Sequence, residues 1–409
     1  MSKELRELAN VYYGQSPAAV IDQDGVIPIL GTGGVYGTAN KSLYDGPAIV
    51  VPRKGSLGNP QLVEQPFWPV DTTYAVIPKT GVDTAWLFYN LDLFDLTRLN
   101  EATGVPSINR DWLYRITFHD PGPTPQREIG TILRSIDHSI SCAAALINKY
   151  QRIKFGLMHD LFNRGLDQNG RLRMSREDAP YQYRETSIGW IPGDWSPFPL
   201  GSLAESLVDG PFGSNLKTEH YVEDGGVRVV RLQNVQAGFY NDSDKAFVSE
   251  RHARFLSKNS VVSGDVLIAA LGDENYPVGR ACLYPTNLPP AINKADCFRL
   301  RSLPSKALNS FIMNYLNTPA ARSQIDRYKQ GVTRQRVNTT NLKKVIVPLP
   351  PPDEQKRIAD RIALAEASLH TLTEFREKLL MLKRGLMNDL LNGTIPVVVE
   401  ERIEAQANV

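Results

Sequence analysis

Two long stretches of the chain carry apolar residues at intervals of three and four, with polar residues between them. In the first stretch these positions include Ile129 and Leu133, and one constant shift in residue number carries them onto Ile358 and Ile362. We call this shift, from Ile129 to Ile358, the repeat offset. The spacing is typical of a helix with one apolar stripe whose other faces are exposed to solvent. The pattern therefore predicts two long helices with matching stripes, one in each half of the chain.

Both predicted helices end in nearly the same residues. Residues 154–165 read KFGLMHDLFNRG and residues 383–393 read KRGLMNDLLNG, so the two ends share GLMxDL. Gly165 and Gly393 then stand where a left-handed residue commonly closes a helix. Packing in an ordinary core is the alternative interpretation of such helices, but packing alone does not require identical ends.

The starts of the helices also carry capping signals. Thr124 followed by Pro125 predicts an N-cap hydroxyl and a first helical residue, and Asp353 followed by Glu354 predicts a capping carboxylate and a negative first turn. A helix from about residue 126 to 163 would be roughly 57 Å long at ~1.5 Å per residue. Two such helices can bury their stripes against each other as an antiparallel two-helix coiled coil.

A segment of mixed α/β character precedes each helix. In the first half we predict strands at 26–30, 48–51, 73–77 and 113–118 and a helix around 82–99. In the second half we predict strands at 227–235, 265–271, 297–300 and 345–349 and a helical region at 305–329 interrupted at Pro319. The predicted fold class is α+β, with two α/β domains separated by a pair of long antiparallel helices and a pseudo-twofold internal repeat.

Composition narrows the class of protein without deciding its function. The net charge is only +2, so any basic surface must be local. The three cysteines lack CxxC spacing and the six histidines are scattered, which favours a reducing compartment and no metal site. No apolar run approaches the ~20 residues of a membrane span. We therefore expect a cytoplasmic protein without membrane contact.

Glycine-rich loops are the first candidates for catalysis. GTGGVYG at 31–37 and PRKGSLGNP at 52–60 could in principle hold a phosphate, but neither matches GxxxxGK[ST]. Turn-forming glycines are the simpler interpretation. NPPY, GxSxG and HExxH are also absent from the sequence. Together these absences favour a chain without catalytic residues of its own.

Local charge favours nucleic-acid binding. Residues 322–344 contain seven Lys or Arg residues against one acid, Asp326, with Gln and Asn side chains among them. Lys and Arg neutralise phosphates, while Arg, Gln and Asn can pair with base edges. A solvated basic face would look similar. In the first half, 103–113 is a weaker counterpart and Arg53 with Lys54 follows an apolar strand.

Several segments together resemble the specificity subunit of type I restriction-modification systems. The segments are 188–195 (IGWIPGDW), 209–221 (DGPFGSNLKTEHY), 227–235 (VRVVRLQNV), 264–281 (GDVLIAALGDENYPVGRA), 330–358 (QGVTRQRVNTTNLKKVIVPLPPPDEQKRI) and both GLMxDL ends. The first half departs from this pattern because it has no GPFGS, which puts its contact residues in doubt more than its fold.

The resemblance implies a division of the chain and a set of partners. It implies recognition domains at 1–122 and 196–351, spacer helices at 123–165 and 352–393, a connector at 166–195 and a tail at 394–409. Each recognition domain would read one half of an asymmetric, split target in double-stranded DNA. Two methyltransferase subunits would dock on the helices, and restriction subunits would complete the complex. S-adenosylmethionine, ATP and Mg would then belong to the partners, with no cofactor in this chain.

Candidate contact residues follow from these segments. The predicted DNA contacts are Arg53, Lys54, Ser56, Ser107, Asn109, Arg110, Phe212, Ser214, Lys217, Arg231, Asn234, Arg280, Arg334, Gln335, Arg336 and Asn338. The predicted partner-docking residues are Leu157, Met158, Leu161, Leu386, Met387 and Leu390. A coiled-coil scaffold that binds other proteins is the alternative function. A phosphate-handling enzyme that uses the glycine-rich loops is a third.

Overall fold

The computed structural model describes residues 1–223, 225–332 and 334–397, and the chain folds as two compact units. Unit 1 comprises Met1–Ile147 together with the chain from Thr371 onward, and unit 2 comprises Asn148–His370. Each long helix begins in one unit and ends in the other. Of the predicted tail at 394–409, residues 398–409 lie outside the described residues.

Unit 1 is built on two small sheets. Its elements before the first long helix are β1 (Ser2–Glu4), α1 (Leu5–Leu8), β2 (Ala9–Tyr13), β3 (Ile27–Gly31), β4 (Gly34–Ala39), β5 (Ala48–Pro52), β6 (Gln61–Val63), β7 (Trp68–Pro69), β8 (Thr73–Pro78), α2 (Thr84–Leu93), α3 (Arg110–Tyr114) and β9 (Thr117–His119). The antiparallel sheet β2-β8-β5-β6 packs against α2, whose Trp86 and Leu87 are fully buried. A second sheet has the order β4-β3-β7, and β1 pairs with β9.

The remaining elements run from the first long helix through unit 2 to the second long helix. The elements are α4 (Pro123–Asn163), β10 (Tyr183–Thr186), β11 (Gly189–Pro192), β12 (Ser196–Pro199), α5 (Leu200–Leu203), β13 (Ala204–Val208), β14 (Tyr221–Val222), β15 (Val227–Val230), β16 (Phe247–Val248), α6 (Glu250–Phe255), β17 (Ser260–Val261), β18 (Val266–Ala269), β19 (Leu271–Gly272), β20 (Ala281–Leu283), β21 (Ala291–Asn293), β22 (Cys297–Ser302), α7 (Asn309–Leu316), α8 (Pro319–Asp326), β23 (Gln335–Arg336), α9 (Thr339–Leu342), β24 (Ile346–Leu349) and α10 (Pro352–Leu391).

Unit 2 repeats the plan of unit 1 with a larger second sheet. Its antiparallel sheet β13-β22-β18-β20 corresponds to β2-β8-β5-β6, and its other sheet has the order β14-β16-β15-β21-β17. Both units contain a strand, a one-turn helix and a second strand in succession, and the first of these strands pairs with the strand that precedes the long helix. The predicted α+β fold with an internal repeat is confirmed.

Within each unit, the start of one long helix packs with the end of the other. In unit 1, Ile129 and Leu133 share a core with Met387 and Leu391. In unit 2, Leu161 and Phe162 likewise share a core with the start of α10 at Ile358 and Ile362. The two helices therefore run antiparallel in both units, as predicted.

Two ion pairs repeat this arrangement with the offset seen in the sequence. In unit 2, Lys154 Nζ lies 2.7 Å from Glu366 Oε1, and in unit 1, Lys383 Nζ lies 2.8 Å from Asp137 Oδ1. The repeat offset carries Lys154 onto Lys383, and it carries Asp137 onto Glu366. Each pair joins α4 to α10 while half-buried, so the same contact fixes the helix register in each unit.

A buried glutamine anchors the start of each long helix. Gln126 Oε1 accepts from the backbone N–H of Asp83, the N-cap of α2, at 2.9 Å. Gln355 Oε1 accepts from the N–H of Leu308, the N-cap of α7, at 2.9 Å. The repeat offset relates these two glutamines as well. Because a buried amide needs hydrogen-bond partners, each glutamine ties its long helix to the helix that covers the sheet.

The predicted boundaries need small corrections. The helices begin at Pro123 and Pro352, so Thr124 and Asp353 lie inside the first turn instead of capping it. Proline is well suited to the first helical position because its missing N–H would have no helical partner there. Gly165 and Gly393 do adopt the expected left-handed backbone, with φ of 66° and 69°.

One predicted strand is partly wrong. We predicted a strand at 113–118, but residues 110–114 form α3 and only 117–119 are extended. The side chain of Asn109 accepts from the N–H of Asp111 and caps α3, so a local hydrogen bond overrides the β-prone residues that follow. The predicted strand 227–235 is also shorter, because a 3-10 turn begins at Leu232.

Candidate nucleic-acid interface

Three loops of unit 2 meet at Arg336. Asp209 and Phe212 come from the loop after β13, and Leu271 pairs with Arg336 in the β19–β23 ladder. Arg336 Nη2 lies 3.0 Å from Asp296 Oδ1 and 3.6 Å from Asp209 Oδ2. Its guanidinium carbon also lies 5.1 Å from the centre of the Phe212 ring. The structure thus brings together residues that are far apart in the sequence.

Glycines allow the loop after β13 to approach its neighbour closely. A Cβ built on Gly210 would lie 1.9 Å from the backbone carbon of Lys294, and Gly213 has φ of 58°. A side chain at the first position would clash, and a non-glycine residue at the second would be strained. The GPFGS segment therefore places Asp209 and Phe212 beside Arg336.

A cavity opens next to this cluster. Its volume is about 660 Å³, and it is lined in part by Gln233, Asn241, Tyr276 and Arg334. Leu271 and Gly272 also line it, and they form the strand that pairs with Gln335 and Arg336. The predicted residue Arg334 therefore lies at a concave surface, and Gln335 pairs with a strand that lines it. This is the kind of surface that a base edge or the sugar-phosphate backbone could enter.

Unit 1 holds a second cluster of predicted residues. The guanidinium carbons of Arg53 and Arg110 lie 5.0 and 5.1 Å from the ring centre of Tyr13. Lys54 and Ser107 form an isolated β-bridge beside them. Lys54 itself is exposed. The two arginines are held by cation–π contact, and neither takes part in an ion pair with a carboxylate among the described residues.

The two clusters occupy corresponding positions in the two units. The N–H of Ile108 donates to the carbonyl of Arg53 at 2.9 Å, and the N–H of Val337 donates to the carbonyl of Ala270 at 2.9 Å. The repeat offset carries Ile108 onto Val337. Ser107 in unit 1 therefore corresponds to Arg336 in unit 2. The same backbone arrangement therefore carries different side chains in the two units.

The two predicted asparagines also correspond. Asn109 caps α3 by accepting from Asp111, and Asn338 caps α9 by accepting from the N–H of Asn341 at 2.8 Å. Their side-chain oxygens are engaged in these caps. Both residues are exposed, so the amide nitrogens face solvent next to the clusters.

The other predicted residues of the loops lie at the surface. Ser56, Ser214 and Lys217 are exposed. Arg231 is partly buried, and its guanidinium is hydrogen-bonded to Asp244. Ser56, Ser214 and Lys217 belong to the same loops as the clusters, whereas Arg231 follows β15, and no described contact joins these four residues to Arg336 or to Tyr13.

Two predicted contacts are corrected. Asn234 is fully buried, and its Nδ2 donates to the carbonyls of Asn241 and Asp244 at 2.8 Å each. Arg280 is 3% exposed and donates to carbonyls that include those of Val235 and Leu271. Burial lowers the pKa of Arg280, as expected for a desolvated cation. Both side chains hold the loops from inside through backbone carbonyls, and Arg280 also lines the cavity beside Arg334.

The predicted docking residues need correction as well. Leu161 is fully buried, and Met387 and Leu390 are 6% and 7% exposed. Leu157, Met158 and Leu386 are partly buried against the same cores. The apolar residues of the GLMxDL ends therefore pack within their own units, because they lie on the inner face of each helix.

Sequence reasoning missed Tyr13, Asp209 and Asp296. Asp209 stands next to the glycine that lets the loop turn, and Tyr13 stands next to Gly14, whose added Cβ would lie 2.0 Å from the Val70 oxygen. In both halves a glycine follows the end of a strand, and this pattern could have pointed to Tyr13 and Asp209. Burial raises the pKa of Asp209, because the charged carboxylate is less favourable there than in water.

The catalytic alternatives gain no support from the geometry. The GTGGVYG segment forms the β3–β4 hairpin, with Gly34 in left-handed backbone, as expected for turn-forming glycines. In residues 1–223, 225–332 and 334–397, no group of three His, Cys, Asp or Glu side chains is placed to hold a metal ion. None of the helices in those ranges combines the length and apolar character that a bilayer crossing requires.

The family follows from a match that spans both repeats. The model of the type I restriction modification DNA specificity domain matches residues 1–151 and 192–379. The chain belongs to this family. The two matched stretches each contain one α/β segment and most of one long helix of this specificity subunit.

Individual relatives are distant in sequence but similar over most of the chain. The specificity subunit of the type I restriction enzyme MjaVIII from Methanocaldococcus jannaschii is 24% identical over 322 residues, which cover 77% of this chain and 71% of that protein. The EcoKI specificity subunit from Escherichia coli is 23% identical over 211 residues, or 51% of this chain and 44% of that protein.

Solved structures support the same fold. The S subunit of a type I restriction-modification system from M. genitalium aligns with a TM-score of 0.63 at 16% identity, covering 98% of this chain and 96% of that one. A chain from a structure described as showing complex assembly and conformational transition of the type I R-M system aligns with a TM-score of 0.55 at 14% identity, covering 97% and 98%. This specificity subunit shares their fold.

Proposed function

We propose that this specificity subunit reads a split, asymmetric target in double-stranded DNA and leaves catalysis to its partners. The observation that carries the proposal is the pair of arginine-containing clusters at corresponding positions of the two units. Arg53 and Arg110 form one, and Arg336 with nearby Arg334 forms the other. Each cluster combines arginines with neighbouring amide side chains, which can contact both phosphates and base edges.

The proposed asymmetry follows from the side chains. Unit 1 presents two arginines on Tyr13, whereas unit 2 presents one arginine between two carboxylates. Ser107 corresponds to Arg336, so the same position offers a hydroxyl in one unit and a guanidinium in the other. Because the two units carry different hydrogen-bond donors on the same backbone arrangement, they favour half-sites of different sequence. The two antiparallel helices would fix the length of the unread spacer between the half-sites.

We propose that partner subunits dock on exposed apolar residues of the helices instead of the buried GLMxDL ends. Ile153 on α4 is 49% exposed, and Leu382, its counterpart at the repeat offset, is 51% exposed. Phe155 and Met381, close to them in sequence, are 64% and 67% exposed, but their counterparts at the repeat offset are Arg384 and Arg152, so only Ile153 and Leu382 repeat. A surface present in both repeats suits two copies of one partner, here the methyltransferase. S-adenosylmethionine, ATP and Mg would be bound by the partner subunits.

DNA binding should weaken steeply with salt. If about six phosphates are neutralised, log K falls with a slope near −0.9 per phosphate on duplex DNA, and raising salt from 50 to 200 mM costs about 10³-fold in affinity. The measurement is fluorescence anisotropy of a labelled duplex with the complete complex of this chain and its methyltransferase partner. A scaffold that binds only proteins would show no salt-dependent DNA binding, and that result would refute the proposal.

The docking surface predicts a change in stoichiometry. We expect Ile153→Asp or Leu382→Asp to weaken one partner site by ~2 kcal/mol, or about 30-fold, because a carboxylate would be buried in an apolar contact. Native mass spectrometry should show one lost partner copy in each variant and two in the double variant.

A matched control exists on α10. Leu364 is 73% exposed, but its counterpart at the repeat offset is Ser135, so it has no apolar equivalent in α4. Leu364→Asp should retain both partner copies. Equal loss in all three single variants would show that the charge, and not the repeated surface, causes the effect.

A further inference from the structure

We propose that Arg336 contacts a guanine in the half-site read by unit 2 and that Asp209 and Asp296 orient its side chain. The inference rests on the proposed DNA-reading function and names the residue that sets base choice in this unit. Arginine paired with O6 and N7 of guanine is the commonest base-specific contact in the major groove. Such a contact requires a guanidinium whose position is fixed before DNA binds.

The backbone of Arg336 is fixed from two sides. Its N–H donates to the carbonyl of Gln330 at 2.8 Å, and its carbonyl accepts from the N–H of Gln330 at 2.9 Å. The next residue, Val337, is buried and bonds to Ala270, and Ala270 in turn donates to the carbonyl of Asp296 at 2.8 Å. The loop that carries Arg336 is therefore attached to the residue that binds its guanidinium.

The side chain is fixed as well, yet it keeps free donors. Among the described residues, the shortest contacts of Arg336 to the two carboxylates are both made by Nη2, and the side chain remains 40% exposed. The Phe212 ring supports one face of the guanidinium. Nε and Nη1 each form a planar donor pair with Nη2, whose second N–H completes the fork, so one such pair stays available for a partner. An arginine ordered in this way loses less conformational entropy when it binds a planar acceptor pair.

The surrounding charge favours a base over a phosphate. Asp209 and Asp296 place two carboxylates against one guanidinium, so a phosphate approaching Arg336 would meet net negative charge. A base edge carries no formal charge and does not suffer this repulsion. Arg334 differs, because it is exposed and takes part in none of the described ion pairs. We assign Arg334 to phosphate contact and Arg336 to base contact.

Asp296 adds an independent sign of a constrained site. It adopts φ of 68°, the left-handed region, and is the only such non-glycine residue within 1–223, 225–332 and 334–397. Its N–H lies 3.3 Å from Asp209 Oδ1, so the two carboxylate residues also hold each other. Left-handed backbone in a non-glycine residue persists where the surroundings enforce it, often at functional sites. Here it aims a carboxylate at Arg336.

The test uses the complete complex in a host strain without adenine methylation of its own. Sequencing that detects methylated adenines gives the target of the wild-type chain, and then those of Arg336→Ala, Arg336→Lys, Asp296→Asn and Arg334→Ala. We expect Arg336→Ala and Arg336→Lys to relax one guanine position of one half-site by about 10- to 100-fold. Lysine keeps the charge but loses the planar fork, so phosphate contact alone would tolerate it.

The variants separate base choice from structure. Asp296→Asn should relax the same position as Arg336→Ala but less strongly, because it disturbs only the orientation of the guanidinium. Arg334→Ala should lower methylation evenly at all positions. Arg53→Ala should act on the other half-site only, which assigns the half-sites to the units.

The outcomes distinguish this inference from the proposed function. If the wild-type complex methylates no defined sequence, the DNA-reading function itself is wrong. If it does so and Arg336→Ala keeps every position of the target while Arg53→Ala changes one, Arg336 does not choose a base. A general loss of folding in Arg336→Ala, with Arg336→Lys retaining the full target, would show that Arg336 is only structural.

Discussion

Replacing Glu354 by alanine should lower the free energy of unfolding of unit 2 by about 3 kcal/mol, because removing one member of a buried ion pair leaves Arg173 paired with the half-exposed Asp194 instead of with a buried carboxylate. Glu354 and Arg173 have side chains that are 3% and 10% exposed. The Arg173 guanidinium donates to both carboxylate oxygens of Glu354, at 2.6 and 3.0 Å. The loss should appear as an earlier unfolding transition in urea.

Glu354 matters because it joins three parts of the chain. Its Oε1 also accepts from the N–H of Leu166 at 2.6 Å, directly after the left-handed Gly165 that ends α4. Arg173 comes from the connector and reaches Asp194 at 2.7 Å as well. Burial lowers the pKa of Arg173, but Glu354 and Asp194 raise it more, so the net shift is upward and the guanidinium stays charged.

The neighbouring residue gives the control. Asp353 is exposed in the first turn of α10, where a negative charge contributes only ~0.3–1 kcal/mol through the helix dipole. Asp353→Ala should therefore change the transition little. If Glu354→Ala behaved like Asp353→Ala, the end of α4 would not depend on this contact. In a double variant with Arg173→Ala the two losses should not add, since both remove the same pair.

Much of this architecture could be predicted because it is periodic. The apolar stripe through Ile129 and Ile358 defines both helices without reference to any partner, and the constant offset between them reveals the repeat. The same offset relates the pairs Lys154–Glu366 and Asp137–Lys383, so the antiparallel register was already encoded in the sequence. Periodic burial leaves a regular trace that one sequence is sufficient to show.

The approximate position of each cluster could be predicted from the sequence, but the set of residues that meet there could not. Arg336 stands out in a basic segment, but its partners Asp209 and Asp296 lie in other loops and have no fixed spacing to it. The same segments yielded Asn234 and Arg280, whose polar side chains turned out to satisfy buried carbonyls. A polar residue that binds a ligand and one that satisfies a buried backbone look alike in sequence, and only the fold distinguishes them.

The helix ends illustrate a related difficulty. GLMxDL is repeated, and we assigned its apolar residues to partner docking, but Leu161 and Met387 face the cores of their units. Repetition by itself indicates a shared structural role as readily as a shared partner. The exposed positions Ile153 and Leu382 could be separated from the buried ones only after each helix was seen against its core.

A single extra helical turn should have a large effect on assembly or on the spacing of the DNA target. Four helix-forming residues inserted after Ala145 would lengthen α4 by about 6 Å. The insertion lies between Asp137 and Lys154, whose ion pairs fix the register against α10. With α10 unchanged, the two pairs cannot both form without a distortion in one helix. We expect weak assembly or an altered spacer.

A matched insertion provides the decisive comparison. Placing the same four residues after Glu374 as well, at the corresponding position of α10, lengthens both helices equally and allows both ion pairs to form again. If the helix pair sets the distance between half-sites, the double insertion should restore assembly and lengthen the methylated target by about two base pairs, at 3.4 Å each. A restored complex with the wild-type spacer would show that the helices hold the chain together without measuring DNA.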